Sequence, residues 1–101
     1  MKTNRTITRE NAMTILYKIF LYKKNKINYN VEEVIEEYMN DLDLEERKKI
    51  NIEFLKELIN GVLNNIEDID KNILKYLENW TIERLGLTDQ AIIRISVYEL
   101  L

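Results

Sequence analysis

Apolar residues recur at helical spacing along almost the whole chain, and no proline interrupts them. Three- and four-residue spacings of this kind predict helices with one buried face. The only two glycines are Gly61 and Gly86, so few positions force a helix to end. A chain of 101 residues can bury one modest core but not two. We therefore predict a single all-α domain, residues 1–101, with about five or six helices joined by short turns.

The first third of the chain predicts two helices. Thr8 fits the N-cap of a helix over residues 8–22, because a hydroxyl at that position can accept a hydrogen bond from a free amide. The polar stretch 23–28 breaks the apolar pattern and predicts a loop. Asn30 fits the N-cap of a second helix, which we expect to run to about Asn40.

The middle of the chain predicts the longest helix. Asp43 fits its N-cap, and the apolar spacing behind it continues to Ile66. Gly61 lies inside this helix, where glycine costs roughly 1 kcal/mol relative to alanine, so we expect it to mark a close crossing with another helix. A fourth apolar stripe runs from Ile69 to Trp80.

The last predicted helix is the most apolar. A short helix, capped by Thr81 and ended by Gly86, precedes it. Thr88 and Asp89 then fit the start of a helix that is apolar on almost every side, which is typical of a central helix. The chain ends at Leu101 without a capping residue or a charged last turn. We expect either that the sequence is the truncated part of a longer domain or that this helix packs against another chain, for example in a homodimer.

Charge is divided unevenly along the chain. Residues 1–26 contain seven lysines and arginines and one acid, a net charge of +6, so the remainder carries −9 within the total of −3. A basic segment of this kind favours a polyanionic partner. Arg5 and Arg9 are the strongest candidates, because they lie one helical turn apart at the start of the chain. For Lys23 to Lys26, an ordinary solvated helix face fits equally well.

The composition also excludes most catalytic and metal chemistry. Histidine and cysteine are absent, which removes imidazole and thiolate ligands, cysteine nucleophiles and the commonest general base. The carboxylates of Glu36 and Glu37 lie on an ordinary helix face and form no convergent site. We predict no enzyme activity, no catalytic residue, no cofactor and no metal site. Since no apolar stretch is long enough to span a membrane and the polar N-terminus does not resemble a signal peptide, we expect a cytoplasmic protein without membrane contact.

Two stretches resemble the NusB family of bacterial transcription antitermination factors. The first, similar to that family's opening arginine-rich motif, is Arg5-Thr-Ile-Thr-Arg9-Glu-Asn-Ala12-Met-Thr-Ile-Leu16-Tyr17. The second and more specific comprises Ile69-Asp70-x-x-Ile73, Leu77-x-x-Trp80, Glu83-Arg84-Leu85 and Asp89-x-Ala91-Ile92-Ile93-Arg94-Ile95-x-Val97-Tyr98-Glu99-Leu100. Between them, the family's phenylalanine-rich third helix is matched by Phe54, Leu58 and Gly61-Val62.

The resemblance implies a NusB-like helical bundle without the family's last two helices. It also implies an RNA-binding role in transcription antitermination, particularly on ribosomal RNA operons. The implied partners are the boxA element of nascent single-stranded RNA, the small-subunit ribosomal protein NusE and the elongating RNA polymerase. The basic N-terminus, residues 1–10, would be the RNA-binding part.

The resemblance also assigns residues to this role. The positions that match the family's RNA-binding motif, or lie just upstream of it, are Lys2, Arg5, Arg9 and Tyr17. The weaker candidates for an RNA or protein-partner surface are Tyr76 and Asp89. Thr6 and Ile7 stand where the family often has basic residues, so we expect lower affinity for boxA. Tyr17 fits a half-buried boundary tyrosine equally well, and Asp89 fits a helix-start carboxylate better.

Two alternatives to the antitermination role remain open. One is the NusB-like domain that precedes the catalytic domain of ribosomal RNA cytosine methyltransferases, in which case the enzyme activity would lie beyond residue 101. The other is a helical module that dimerises through its apolar last helix. A short helical continuation of the gene would favour the antitermination factor, whereas a long continuation with a cofactor-binding pattern would favour the methyltransferase.

Overall fold

All regular elements of the computed structural model, which describes residues 1–76 and 81–101, are helical. In chain order they are α1 (Asn4–Lys24), α2 (Val31–Asp41), α3 (Leu44–Lys48), α4 (Ile52–Asn64), α5 (Ile66–Leu74), a 3-10 helix (Ile82–Arg84) and α6 (Leu87–Leu100). The predicted all-α fold class is confirmed. Within the described ranges, no helix is both long and apolar enough to cross a lipid bilayer.

The core is built around α1, the longest helix. Its side chains at Ala12, Ile15, Leu16 and Ile19 are fully buried on one face and face α4 and α6, the two helices that α1 contacts most extensively. Burying a side chain of the size of leucine or isoleucine contributes about 1.5–3 kcal/mol. α5 packs against α6, and α2 against α1. The opposite face of α1 is exposed to solvent, and the packing of the buried face holds the helix in place.

The first helix begins at Asn4, so the prediction of Thr8 as its N-cap is wrong. Thr3 is the N-cap, and its hydroxyl accepts a hydrogen bond from the amide of Thr6. The Thr8 side chain is buried inside the helix, where its hydroxyl donates to the carbonyl of Asn4 at 2.7 Å and accepts from the amide of Asn51 at 3.0 Å. Because α1 starts at Asn4, Arg5 and Arg9 both lie within the helix.

The boundaries between residues 23 and 41 are close to the prediction. α1 extends through Lys24, so Lys23 and Lys24 are helical and the loop is shorter than predicted. Asn30 caps α2 as predicted, its side chain accepting from the amide of Glu33 at 3.1 Å. α2 ends at Asp41, one residue beyond the predicted end.

The predicted third helix is in fact two helices. Asp43 is an N-cap as predicted, accepting from the amide of Glu46 at 2.8 Å, but the helix that it starts, α3, has only five residues. Asn51 then caps α4. The same Asn51 donates its backbone amide to Thr8, which ties the break between the two helices to α1.

The two glycines have different roles. Gly61 lies at a close helix crossing, as predicted, since a methyl group at this position would overlap the ring of Tyr98 on α6. Gly86 does not end the short helix. That element is a single 3-10 turn that ends at Arg84, and Gly86 is the N-cap residue of α6, where an added methyl group would meet nothing within 4 Å.

The last two apolar stripes are only partly as predicted. The fourth stripe forms α5, which ends at Leu74, and the Leu77 and Trp80 positions of that stripe lie outside the described residues. α6 is present, and it contacts α1, α4 and α5. It is not buried on every side, however, because Ile92 is 41% exposed and Leu100 is 87% exposed.

Candidate nucleic-acid interface

A surface groove between α1 and α6 collects several of the predicted site residues. The two helices run in opposite directions, so Arg9 near the start of α1 contacts Glu99 near the end of α6. Further along, Tyr17 of α1 lines the same groove with Thr88 and Ile92 from the beginning of α6. We name this surface the α1–α6 groove.

Arg9 is already paired within the molecule. Its Nε donates to Oε1 of Glu99 at 2.7 Å, and its Nη2 donates to Oγ of Ser96 at 3.0 Å. The two charged side chains are 35% and 26% exposed. Arg9 is therefore fixed in position, and a carboxylate compensates its charge.

Lys2 is also paired, but on the open surface. Its Nζ lies 2.9 Å from Oε1 of Glu10, and the two side chains are 63% and 47% exposed. Exposed ion pairs of this type contribute about 0–1 kcal/mol. Lys2 can therefore exchange Glu10 for another anion at little cost.

Arg5 is the least committed of the three N-terminal cations. Its guanidinium carbon lies 4.3 Å from the centre of the Phe54 ring, which is a cation–π distance. It forms no ion pair with any residue in the described ranges. Clefts that Arg5 lines are, however, also lined by Glu53, Glu57 and Glu99, so acidic groups surround it.

Tyr17 offers an aromatic ring to the same surface. It is 39% exposed and lines a shallow part of the groove, of about 370 Å³, with Met13 and Ile92. Glu10 is the one charged side chain that lines this part of the groove within the described residues. An exposed aromatic ring suits the stacking of an unpaired base.

The two weaker candidates lie apart from one another. Tyr76 follows α5 and is 84% exposed. Asp89 is exposed on the first turn of α6 and follows the groove residue Thr88 in the sequence. Neither residue is among those that line the groove with Tyr17.

The carboxylate partners of the basic residues were not predicted. Arg9 and Glu99 are 90 positions apart, and no local pattern connects them. Lys2 and Glu10 are eight positions apart, about two turns of helix, which could have suggested their pairing.

Arg94 is buried in the core and is 7% exposed. Its Nε and Nη2 form hydrogen bonds to the two carboxylate oxygens of Asp70 at 2.8 and 2.9 Å. The guanidinium also lies 4.6 Å from the centre of the Phe20 ring. Arg94 therefore joins α5 and α6 to α1 and belongs to the packing of the domain.

The groups with a shifted pKa lie outside the groove. Burial raises the pKa of Tyr29 and of Tyr38, and the Tyr38 hydroxyl donates to Oδ1 of Asn11. Raised values keep both phenols neutral at ordinary pH. In the described ranges, no three His, Cys, Asp or Glu side chains are grouped to hold a metal ion.

Two kinds of comparison with known proteins agree on one family. Residues 6–101 match the model of the NusB family. A protein named transcription antitermination protein NusB from Clostridium botulinum (strain Alaska E43 / Type E3) is 36% identical over 98 residues, which is 97% of this chain and 69% of that protein. One of the same name from Clostridium botulinum (strain Loch Maree / Type A3) is 37% identical over 101 residues, or 96% of this chain and 72% of that protein.

A more distant relative has the same name. The transcription antitermination protein NusB of Acetivibrio thermocellus is 31% identical over 96 residues, covering 95% of this chain and 61% of its own length. No solved structure matches the chain. The resemblance drawn from two stretches of sequence thus extends over nearly all of the chain.

Proposed function

The chain belongs to the NusB family, and on that premise we propose that it is an RNA-binding transcription antitermination protein of the bacterial cytoplasm. It binds the boxA element of nascent RNA together with the NusE-type ribosomal protein. The complex joins the elongating RNA polymerase and supports processive transcription of ribosomal RNA operons. The relatives carry the name of an antitermination protein, and the proposal includes no enzymatic step.

The placement of cations and an exposed aromatic ring along one helix supports this proposal most directly. Lys2 precedes α1 and Arg5 and Arg9 lie in its first turns, while Tyr17 lines the α1–α6 groove about two turns after Arg9. Guanidinium groups bind phosphates with two parallel hydrogen bonds, and single-stranded bases stack on aromatic rings. The groove therefore offers both kinds of contact that an unpaired RNA strand needs.

The internal ion pairs predict an order among the cations. A phosphate that binds Arg9 must replace Glu99, whereas a phosphate that binds Arg5 displaces no ion-pair partner in the part of the chain that the structure describes. Replacing the Glu99 carboxylate by a phosphate keeps the Arg9 guanidinium paired, so the replacement is feasible. It adds less binding free energy than a new ion pair does. We therefore assign the larger share of RNA affinity to Arg5.

The test is a titration of the protein and its variants with a single-stranded RNA that carries boxA. Arg5→Ala is expected to weaken binding roughly tenfold and Arg9→Ala roughly threefold, and affinity should fall steeply with salt because bound phosphates release counterions. Lys71→Ala, an exposed position on α5, is the charge-matched control and should change little. Added NusE-type ribosomal protein should tighten boxA binding without changing this order.

Two outcomes would contradict the proposal. Affinity that is indifferent to Arg5, Arg9 and salt would remove the α1–α6 groove as the RNA site. Equal losses in the Lys71 control would mean that only the net charge of the protein matters.

A further inference from the structure

The other end of α1 carries a second group of basic residues. Lys23 and Lys24 occupy the last turn of α1, and Lys26 lies in the following loop. All three are exposed, and none forms an ion pair within residues 1–76 and 81–101. They are therefore available to an external anion, unlike Lys2 and Arg9.

Helical geometry aligns one of these lysines with the aromatic ring of the proposed RNA site. Lys24 lies seven positions, about two turns, after Tyr17, so the two exposed residues share one side of α1. The side that Arg5 shares with Lys23 is buried between them at Ala12 and Leu16. A strand that stacks on Tyr17 therefore reaches the basic end of α1 along the exposed side of the helix.

A cleft of about 430 Å³ lies beside this end of α1, where the helix meets the 3-10 helix and the beginning of α6. Lys23 and Lys24 line it together with Leu87 and Gln90 from the first turn of α6, and Glu83 is its one acidic side chain within the described residues. Arg94 also lines the cleft, but Asp70 already binds its guanidinium. The two lysines are thus the cations of this cleft that have no ion-pair partner within residues 1–76 and 81–101.

We propose that Lys23 and Lys24 form a second phosphate contact for the same RNA strand that binds at Arg5. This inference rests on the proposed function and extends the RNA contact from the start of α1 to its end. Arg5 and Lys24 are 19 positions apart, roughly 28 Å along the helix. At the rise of about 3.4 Å per nucleotide of a stacked strand, that distance corresponds to about eight nucleotides.

A single strand fits this arrangement better than an acidic protein segment. The exposed ring of Tyr17 lies between the two basic ends, about 18 Å from Arg5 and 10 Å from Lys24 along α1. An alternation of cation, aromatic ring and cation suits a polymer that has phosphates and unpaired bases.

The lysines also have a structural explanation that the test must separate. Cations in the last turn of a helix interact favourably with its dipole, by about 0.3–1 kcal/mol. A role limited to helix stability would lower the midpoint of thermal unfolding and leave RNA affinity unchanged.

The experiment compares the double variant Lys23→Ala/Lys24→Ala with Lys48→Ala/Lys49→Ala. The control removes the same charge from two neighbouring exposed lysines at the end of α3. α3 is followed by Asn51, whose backbone amide donates a hydrogen bond to Thr8 on the buried face of α1. The control lysines therefore lie on the side of α1 away from Tyr17. Both variants are titrated with a 12-nucleotide RNA that carries boxA and with a 4-nucleotide RNA, which at the same rise is too short to reach both ends when stacked.

The Lys23→Ala/Lys24→Ala variant is expected to bind the 12-nucleotide RNA roughly tenfold more weakly. Its slope of log affinity against log salt should be shallower by about 1.4, since each phosphate contact of a single strand contributes about 0.7. Its affinity for the 4-nucleotide RNA, and both affinities of the control, should stay within about twofold of the unmodified protein.

The remaining outcomes overturn the inference in distinguishable ways. Loss of affinity in Arg5→Ala with none in Lys23→Ala/Lys24→Ala would remove the second contact and leave the proposed function intact. Equal weakening for both RNA lengths would mean that the lysines act only through the overall electrostatic field. If a polyglutamate chain bound more tightly than the RNA and lost that affinity in the lysine variant, the partner would be an acidic polypeptide. If the unmodified protein bound no RNA, both proposals would fall together.

Discussion

The two ends of α1 carry similar basic residues in different electrostatic states. At the start of the helix, Lys2 and Arg9 already pair with carboxylates, and acidic side chains surround Arg5. At its end, Lys23 and Lys24 have no ion-pair partner among the described residues. The net charge of +6 in residues 1–26 therefore does not locate the charge that a ligand can use.

Packing also differs between the start and the end of α1. Near the start of α1, the ring of Tyr98 lies so close to Gly61 that no side chain fits between them. At the other end, Gly86 lies in open space and the cleft beside Lys23 and Lys24 is accessible. The start of α1 thus lies beside a tight helix crossing and two of its three cations are paired, whereas the lysines at its end have no ion-pair partner among the described residues.

The largest expected effect on stability concerns Arg94, the buried cation that also lines the cleft at the end of α1. Arg94→Ala leaves Asp70 without its partner and removes the guanidinium from the Phe20 ring, so the free energy of unfolding should fall by about 3 kcal/mol. Urea unfolding measures this change. Arg84→Ala, at an exposed position of the 3-10 helix, should change it by less than about 0.5 kcal/mol. If both variants were equally stable, Arg94 would not be fixed and could itself serve as a ligand-binding cation of the cleft.

A smaller effect on stability is expected at Gly61, the close helix crossing near the start of α1. Gly61→Ala forces the ring of Tyr98 to move, which costs about 1–3 kcal/mol, and the better helix propensity of alanine offsets roughly 1 kcal/mol. A net loss of about 1 kcal/mol in the free energy of unfolding should follow. The matched control is Gly86→Ala, because an added methyl group there meets no other atom within 4 Å. Equal stability of the two variants would show that the crossing near the start of α1 is no tighter than the open end.

The sequence predicts what local patterns control. Asn30 and Asp43 are N-caps because each side chain satisfies an amide three residues away. The close crossing at Gly61 is also predictable, because a glycine inside a helix is costly unless it allows a neighbour to approach. The family resemblance likewise selects Arg9 and Tyr17, and both lie on the α1–α6 groove of the structure, although the roles of both residues stay predictions.

Contacts between distant segments are not visible in the sequence. Thr8 fits a helix cap by local rules, but its hydroxyl instead accepts a hydrogen bond from Asn51, 43 positions away. The same contact fixes the break between α3 and α4. Glu99 is apparent only as part of an apolar helix, and its pairing with Arg9 depends on how α1 and α6 pack. Pairings of this kind decide which cations stay free, so the sequence identified the candidate residues but not their availability.

The smallest predicted effect tests whether Glu99 masks Arg9. Glu99→Gln keeps a hydrogen-bond acceptor for Arg9 but removes the compensating charge, so affinity for boxA RNA should rise about threefold. The ion pair is partly exposed, and its loss should lower the free energy of unfolding by less than about 1 kcal/mol. Glu36→Gln, an exposed position on α2, removes the same charge and should leave RNA affinity nearly unchanged. If Glu99→Gln bound RNA more weakly, Glu99 would be positioning Arg9 for the phosphate, and the paired start of α1 would be the prepared end of the groove.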